Sequence, residues 1–350
     1  MKAAVFYGTG DMRYEEVPDI KLVDGEDFDV LIKVKAAGIC GSDLHFFNGL
    51  LPTDAFPEKP VLGHELSGEV VEVGKDVKNV KVGDRVAVEP LIECGKCIYC
   101  KAGDYHLCGE LKHIGYFYSG GFAEYTKAPH GKVFKLPDSV SYEEASLVDC
   151  YACGVHAVNV CKVSIADFVV VFGAGPVGLT AAQAARAAGA RDVVIIDDID
   201  EILEIAKQAG IEKAYNSSKI NIEEKIMELT NGLGADIVID AGRSKANVID
   251  AALPFLKFGG RIGVLSLRNT ISYNAFLAHF KEIKIEYIFS YAKWNGITEF
   301  EIALNMIARG DIIAAPLVTH QYSLKDVKEA FSAALNKKEF KAIKIILKAD

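Results

Sequence analysis

The sequence predicts an α/β protein in two parts: a β-rich, partly closed domain and a doubly wound parallel sheet. Three observations carry that expectation. From Met1 to about Asp149, short β-like runs alternate with glycine, proline and acidic residues. From about Asp167, strands alternate with helices, the rhythm of right-handed βαβ crossovers. A lone β-run closes the chain at 342–347 and needs a sheet to join, so the first domain is expected to be discontinuous. The expected bounds are 1–150 with 290–350 for the β-rich domain and 151–289 for the parallel sheet.

In the first part the runs are 2–6, 30–35, 68–73, 84–88 and 122–126. In the second, 168–172 is a short β-branched strand, 177–188 an alanine-rich helix, 193–197 a strand and 199–208 a helix. Helices at 222–230 and 245–256 alternate with strands at 236–240 and 261–266. Beyond 290 follow helices near 299–308 and 324–335 and the closing strand.

Four of the eight cysteines, Cys94, Cys97, Cys100 and Cys108, stand as C-x2-C-x2-C-x7-C within a lobe at 93–109. Four thiolates can close around one zinc ion and leave no position for substrate, so this site is structural. Disulfides would need an oxidising compartment, and the first residues hold no apolar stretch of signal-peptide length. An iron–sulfur cluster is the other reading of C-x2-C-x2-C.

The net charge of −9 disfavours nucleic acid and anionic membrane as partners. No apolar run reaches the length of a membrane span. The expectation is a soluble cytoplasmic protein.

Gly173-Ala-Gly175-Pro176-Val177-Gly178 follows the strand at 168–172 and opens the alanine-rich helix. A G-x-G-x-x-G run in that context permits the tight turn, the approach to a pyrophosphate and close helix–strand packing. Free amides at the helix start then face the phosphates, and Pro176 suits the first turn. The second strand ends at Asp197, whose carboxylate would accept from ribose hydroxyls and repel a 2′-phosphate. No arginine or lysine follows until Lys207, so the expected coenzyme is NAD.

Three segments carry residue types of a catalytic metal: Cys40, the pair His64 and Glu65, and the pair Asp149 and Cys150. A catalytic zinc takes three protein ligands and leaves one position open. Spacing alone does not assemble them, and each taken singly fits a structural role.

Together, Gly38-Ile-Cys-Gly-Ser-Asp43, Gly63-His-Glu65, the cysteine lobe, Val82-Gly-Asp-Arg-Val86 and the glycine loop resemble the zinc-dependent medium-chain alcohol and polyol dehydrogenases. The tail, Pro316-Leu-Val-Thr-His320 with Ala330-Phe331, resembles that of sorbitol dehydrogenases. The resemblance implies a GroES-like catalytic domain, a Rossmann coenzyme domain, two zinc ions per chain and NAD. It places Cys40 and His64 on the catalytic zinc. Asp149 falls where relatives place cysteine or glutamate and is the expected third ligand of the catalytic zinc; being shorter than glutamate it could ligate through water, and Glu65, Cys150 and Cys153 are the alternatives. Ser42 matches the family's hydroxyl beside the reacting oxygen, and His45 its relay histidine. Lys344 sits where an arginine meets the pyrophosphate. Phe46 and Ser290 replace polar groups of a hexitol site, so a less polar pocket is expected. Threonine, butanediol and sugar-alcohol-phosphate dehydrogenases are rival readings within the class. A zinc-free or non-catalytic member would lack the Cys40–His64 pair. The resemblance also implies a homodimer or homotetramer, paired through sheet edges near 261–290.

Overall fold

The computed structural model describes residues 1–242, 247–267 and 270–349. The chain falls into two compact units: Met1–Asp149 with Ala292–Ala308 and Leu317–Asp350, and Cys150–Tyr291 with Arg309–Pro316.

The first unit is built on a seven-stranded sheet. Its order runs Val318–Ser323, Lys344–Lys348, Val30–Gly38, Glu65–Val73, Arg85–Val88 and Val133–Lys135, with Tyr125–Ala128 also on Val30–Gly38. Val30–Gly38 alternates buried and half-buried positions before becoming wholly buried, as a strand does when it passes from a sheet face into a core. Ile32, Val34, Leu66, Val70, Val86 and Phe122 pack in that core. The closing strand Lys344–Lys348 lies antiparallel to Val30–Gly38, with Ile346 opposite Gly38.

The second unit holds a six-stranded parallel sheet in the order Lys213–Asn216, Asp192–Asp197, Phe168–Phe172, Ala235–Asp240, Leu256–Val264, Lys284–Tyr287. Numbered along the chain this is 3-2-1-4-5-6, the doubly wound dinucleotide-binding order. Phe168–Phe172 is buried at every position, as a central parallel strand must be. Strand order reverses beside it, and the glycine loop leaves its carboxyl end there.

Some sequence expectations shift. The run expected at 122–126 is a strand only from Tyr125 to Ala128, three residues later at its start, while Ala123 makes an isolated bridge to Ala3. The helix expected at 245–256 is Val248–Ala252, and Lys245 and Ala246 lie outside the described residues. Pro254 has no N–H with which to continue the helical ladder, and Leu256 already opens the next strand. The strands Lys213–Asn216 and Lys284–Tyr287 carry a lysine and a polar residue each, too little apolar periodicity to be read. No helix among the described residues is long and apolar enough to cross a membrane.

Candidate active site

Two sets of metal-ligating side chains converge in the first unit. One is Cys40, His64 and Glu65, whose ligand atoms lie within 4.8 Å of one another. Cys40 precedes the helix Gly41–Phe47, and His64 and Glu65 lead into the strand Glu65–Val73. Gly38 is paired opposite Glu65, and a Cβ at Gly38 would run into the Glu65 carboxylate. The sequence thus keeps that position bare where the carboxylate turns inward.

Behind these donors stands Asp43, fully buried. One of its oxygens accepts from the Cys40 amide at 2.9 Å. The other lies 3.6 Å from His64 Nδ1, just beyond hydrogen-bond length. A carboxylate behind an imidazole fixes the ring that presents its other nitrogen to a metal. Burial pushes the His64 imidazolium down, but Cys40 and Asp43 outweigh it and raise it well above its ordinary value. The His64 ring also meets His113 and Tyr116 edge-on, at 4.9 and 5.2 Å between centroids. Burial and the facing His64 hold His113 down to about 3, so it is neutral. A thiol, an imidazole and a carboxylate, with a second carboxylate behind the imidazole, are donor types that suit a divalent ion at the converged set.

Ser42 is on the same helix, and its Oγ lies 2.6 Å from the Tyr116 hydroxyl. His45 lies one turn on, half-buried. Asp149 is buried in the first turn of the helix Val148–Val160 but is not in the converged set; Glu65, one methylene longer and adjacent to His64, is. Lys344 is 1% exposed, and its ammonium pairs with the Glu65 carboxylate and faces the Ile39 carbonyl. The charge carried over to a pyrophosphate is therefore held by a carboxylate of the donor set. Asp43, His113 and Tyr116 were missed in the sequence. Asp43 lies inside the Gly38–Asp43 motif, and His113 and Tyr116 lie 49 and 52 positions from His64, beyond any spacing rule.

The second set is Cys94, Cys97, Cys100 and Cys108, again within 4.8 Å. Sulfur separations of 3.3 Å for Cys97–Cys100 and 3.9 Å for Cys94–Cys100 are too long for a disulfide. They bracket the roughly 3.8 Å edge of a tetrahedron with ~2.3 Å metal–sulfur bonds. Backbone amides of Lys96 and Cys97 hold the Cys94 thiol down to about 7, near the metal-ready thiolate. Burial, then the Cys97 sulfur, pushes Cys100 up to about 12. The short hairpin of Leu91–Ile92 with Lys112–His113 closes the lobe. Lys132 braces it, 3.0 Å from buried Glu89 and 2.7 Å from Glu93, with its ammonium over the Tyr105 ring.

In the second unit the glycine loop forms as expected from its sequence. Gly173 has φ +93°, and a Cβ there would meet the Gly242 backbone at 2.7 Å. A Cβ on Gly178 would collide with the Gly173 carbonyl oxygen. Gly175 caps the helix Pro176–Ala187, Pro176 is its first residue and Val177 its second. Asp197 turns its carboxylate back onto the loop: one oxygen accepts from Ala174 N at 2.7 Å, the other from Asp198 N at 2.9 Å and Ile199 N at 3.2 Å. Bare glycines, helix amides and an acid at the second strand end fit a dinucleotide. Beyond the reach of the sequence reading, Lys219 arrives from the neighbouring strand end, but its ammonium is taken by Asp200 at 2.6 Å.

Residues 26–138 match the family described as "Alcohol dehydrogenase GroES-like domain", and residues 176–309 match "Zinc-binding dehydrogenase". A sorbitol dehydrogenase of Bacillus subtilis (strain 168) is 37% identical, covering 96% of this chain and 94% of its own. The crystal structure of 2R,3R-butanediol dehydrogenase from Bacillus subtilis superposes with a TM-score of 0.88 at 32% identity, covering 100% of this chain and 99% of that one. An Escherichia coli CFT073 alcohol dehydrogenase solved with NADH gives 0.87 at 28% identity, over 99% of both chains. A zinc-binding dehydrogenase from Sinorhizobium meliloti 1021 solved with NADP gives 0.87 at 26%, over 99% of this chain and 98% of that one. With both parts of the fold, both donor sets and near full-length identity in agreement, the chain belongs to the zinc-containing alcohol and polyol dehydrogenases.

Proposed function

We propose that this dehydrogenase moves a hydride between a secondary alcohol or polyol and NAD. In this reading Cys40, His64 and Glu65 hold a catalytic zinc and the four lobe cysteines a structural one. The observation that carries the reading is the convergence of Cys40, His64 and Glu65 with Asp43 behind the imidazole. Zinc, when bound, supplies a Lewis acid for a carbinol oxygen. The chain's own residues do the rest. Asp43 fixes His64, and Lys344 offsets the Glu65 charge. The Ser42 hydroxyl takes the substrate proton, and His45, one turn on along the same helix, passes it outward. Asp197 accepts from the coenzyme ribose, and the amides of the Pro176–Ala187 helix receive the pyrophosphate.

Phe46 and Phe56 beside Tyr116 make an aromatic wall near Ser42, which favours a small or partly apolar polyol or diol over a fully hydroxylated hexitol. Eight free cysteines suit a reducing, cytoplasmic compartment. A homodimer or homotetramer is supported by the outermost strand Lys284–Tyr287, where Tyr287 is exposed, and by exposed Phe276 and Phe280 on the preceding helix Ala275–Phe280 and Phe289 just after the strand. The test is a panel of polyols, diols, threonine and sugar-alcohol phosphates with the zinc-loaded enzyme, followed by NADH absorbance. Turnover of a polyol or diol is expected. No turnover of any secondary alcohol with either coenzyme overturns the reading.

A further inference from the structure

Ser42 does not stand alone beside the converged donors. Its Oγ is 2.6 Å from the Tyr116 hydroxyl, the short distance of a firm O–H···O bond. The Tyr116 ring is fixed from several sides. It stacks on His113 at 4.5 Å and 19°, lies parallel to Phe56 at 5.6 Å, and meets Phe46 and His64 edge-on. Its own turn is held by hydrogen bonds from the Tyr116 and Phe117 amides to the His113 carbonyl and from the Gly115 amide to the Tyr118 carbonyl. A ring so held cannot swing its hydroxyl away without breaking the packing around His64.

A serine hydroxyl has one proton and two lone pairs. To take a proton from a substrate hydroxyl, Ser42 must keep one lone pair facing the substrate and send its own proton elsewhere. We propose that Tyr116 is a positioning residue: its O–H donates to one Ser42 lone pair, so the other faces the substrate. The proton balance closes. The substrate O–H bond breaks as a bond forms to Ser42 Oγ, the Ser42 proton leaves towards His45 and solvent, and the Tyr116 proton stays on its phenol. The same phenol returns a polar group to a wall otherwise lined by phenylalanine. The proposal rests on Ser42 acting on the substrate oxygen, as read above.

The test compares Tyr116→Phe, Ser42→Ala and the double variant in the zinc-loaded enzyme, using the best substrate of the panel. Tyr116→Phe keeps the ring and loses only the hydroxyl. The expected result is a fall in kcat on the order of 10-fold, little change in KM, unchanged zinc content and Tm, and an altered solvent deuterium isotope effect. In the double variant the loss should equal that of Ser42→Ala alone, since the phenol acts through the serine. A normal kcat and isotope effect in Tyr116→Phe, with Ser42→Ala impaired, overturns the inference and leaves the functional reading standing. A normal kcat in Ser42→Ala overturns both. Fully additive losses show that Tyr116 acts on something other than Ser42 and also overturn it.

Discussion

In the proposed reading, coenzyme choice rests on the Asp197 carboxylate. Consider Asp197→Asn. In the unaltered protein a 2′-phosphate would sit beside the Asp197 charge. At a separation of about 5 Å and an effective dielectric constant near 20, each charge pair costs about 3 kcal/mol, roughly a 200-fold discrimination. Removing the charge should raise kcat/KM with NADP by up to that factor, less whatever salt screens. The same carboxylate also accepts from Ala174 N through one oxygen and from Asp198 N and Ile199 N through the other. An amide has a single acceptor oxygen, so one side of this array goes unmet. Ala174 is fully buried, and an unsatisfied buried N–H costs about 1–3 kcal/mol. NAD efficiency should therefore fall on the order of 10-fold, and coenzyme preference should narrow rather than invert. Lys219 does not supply a ready phosphate ligand, because Asp200 already engages it. The assay is kcat/KM with each coenzyme at saturating alcohol near neutral pH. Equal use of NAD and NADP by the unaltered protein, or a variant that shifts neither value, refutes the reasoning.

Other perturbations separate the parts of the account. Asp43→Asn should weaken metal binding at the Cys40–His64–Glu65 set by roughly 10- to 100-fold, read by chelator competition; unchanged affinity shows that Asp43 does not support His64. Lys132→Met leaves Glu89 fully buried without its ammonium, which should lower stability by about 3–5 kcal/mol in a denaturation series. Burial already raises Glu89 above its ordinary range, so the folded state favours its protonated form. The stability it contributes is present below its unfolded value and is lost as pH rises through the raised folded value. The Lys132→Met deficit should accordingly be largest at neutral and alkaline pH and shrink on acidification; a pH-independent deficit contradicts the assignment. Tyr287→Lys, on a residue 69% exposed at the outermost strand, should convert an oligomer to a smaller species in sedimentation without unfolding it; an unchanged assembly places the interface elsewhere.

The parallel sheet was legible because its strands are apolar, its helices periodic and its glycine loop tied to both. Phe168–Phe172 and the cysteine lobe fall where the sequence puts them. The two short strands Lys213–Asn216 and Lys284–Tyr287 were not legible, since tertiary pairing rather than periodicity makes them strands. At the converged set, Cys40 and His64 came from motif resemblance, which offered Asp149 first and Glu65 only as an alternative. Side-chain reach depends on how Glu65 is presented opposite bare Gly38, which only the register Gly38–Glu65 reveals. Lys344 was read through its position in the family, while its buried pairing with Glu65 depends on the closing strand lying beside Val30–Gly38. The Ser42–Tyr116 bond joins residues 74 positions apart and has no signature in the sequence.

Zinc stoichiometry measured together with turnover tests the central claim most directly. The fully active protein should carry two zinc ions per chain, since two separate donor sets converge. His64→Ala should abolish turnover and remove one equivalent while the fold survives. Cys97→Ser should remove the other and lower Tm. One zinc or none in fully active enzyme, or full turnover in His64→Ala, contradicts the account.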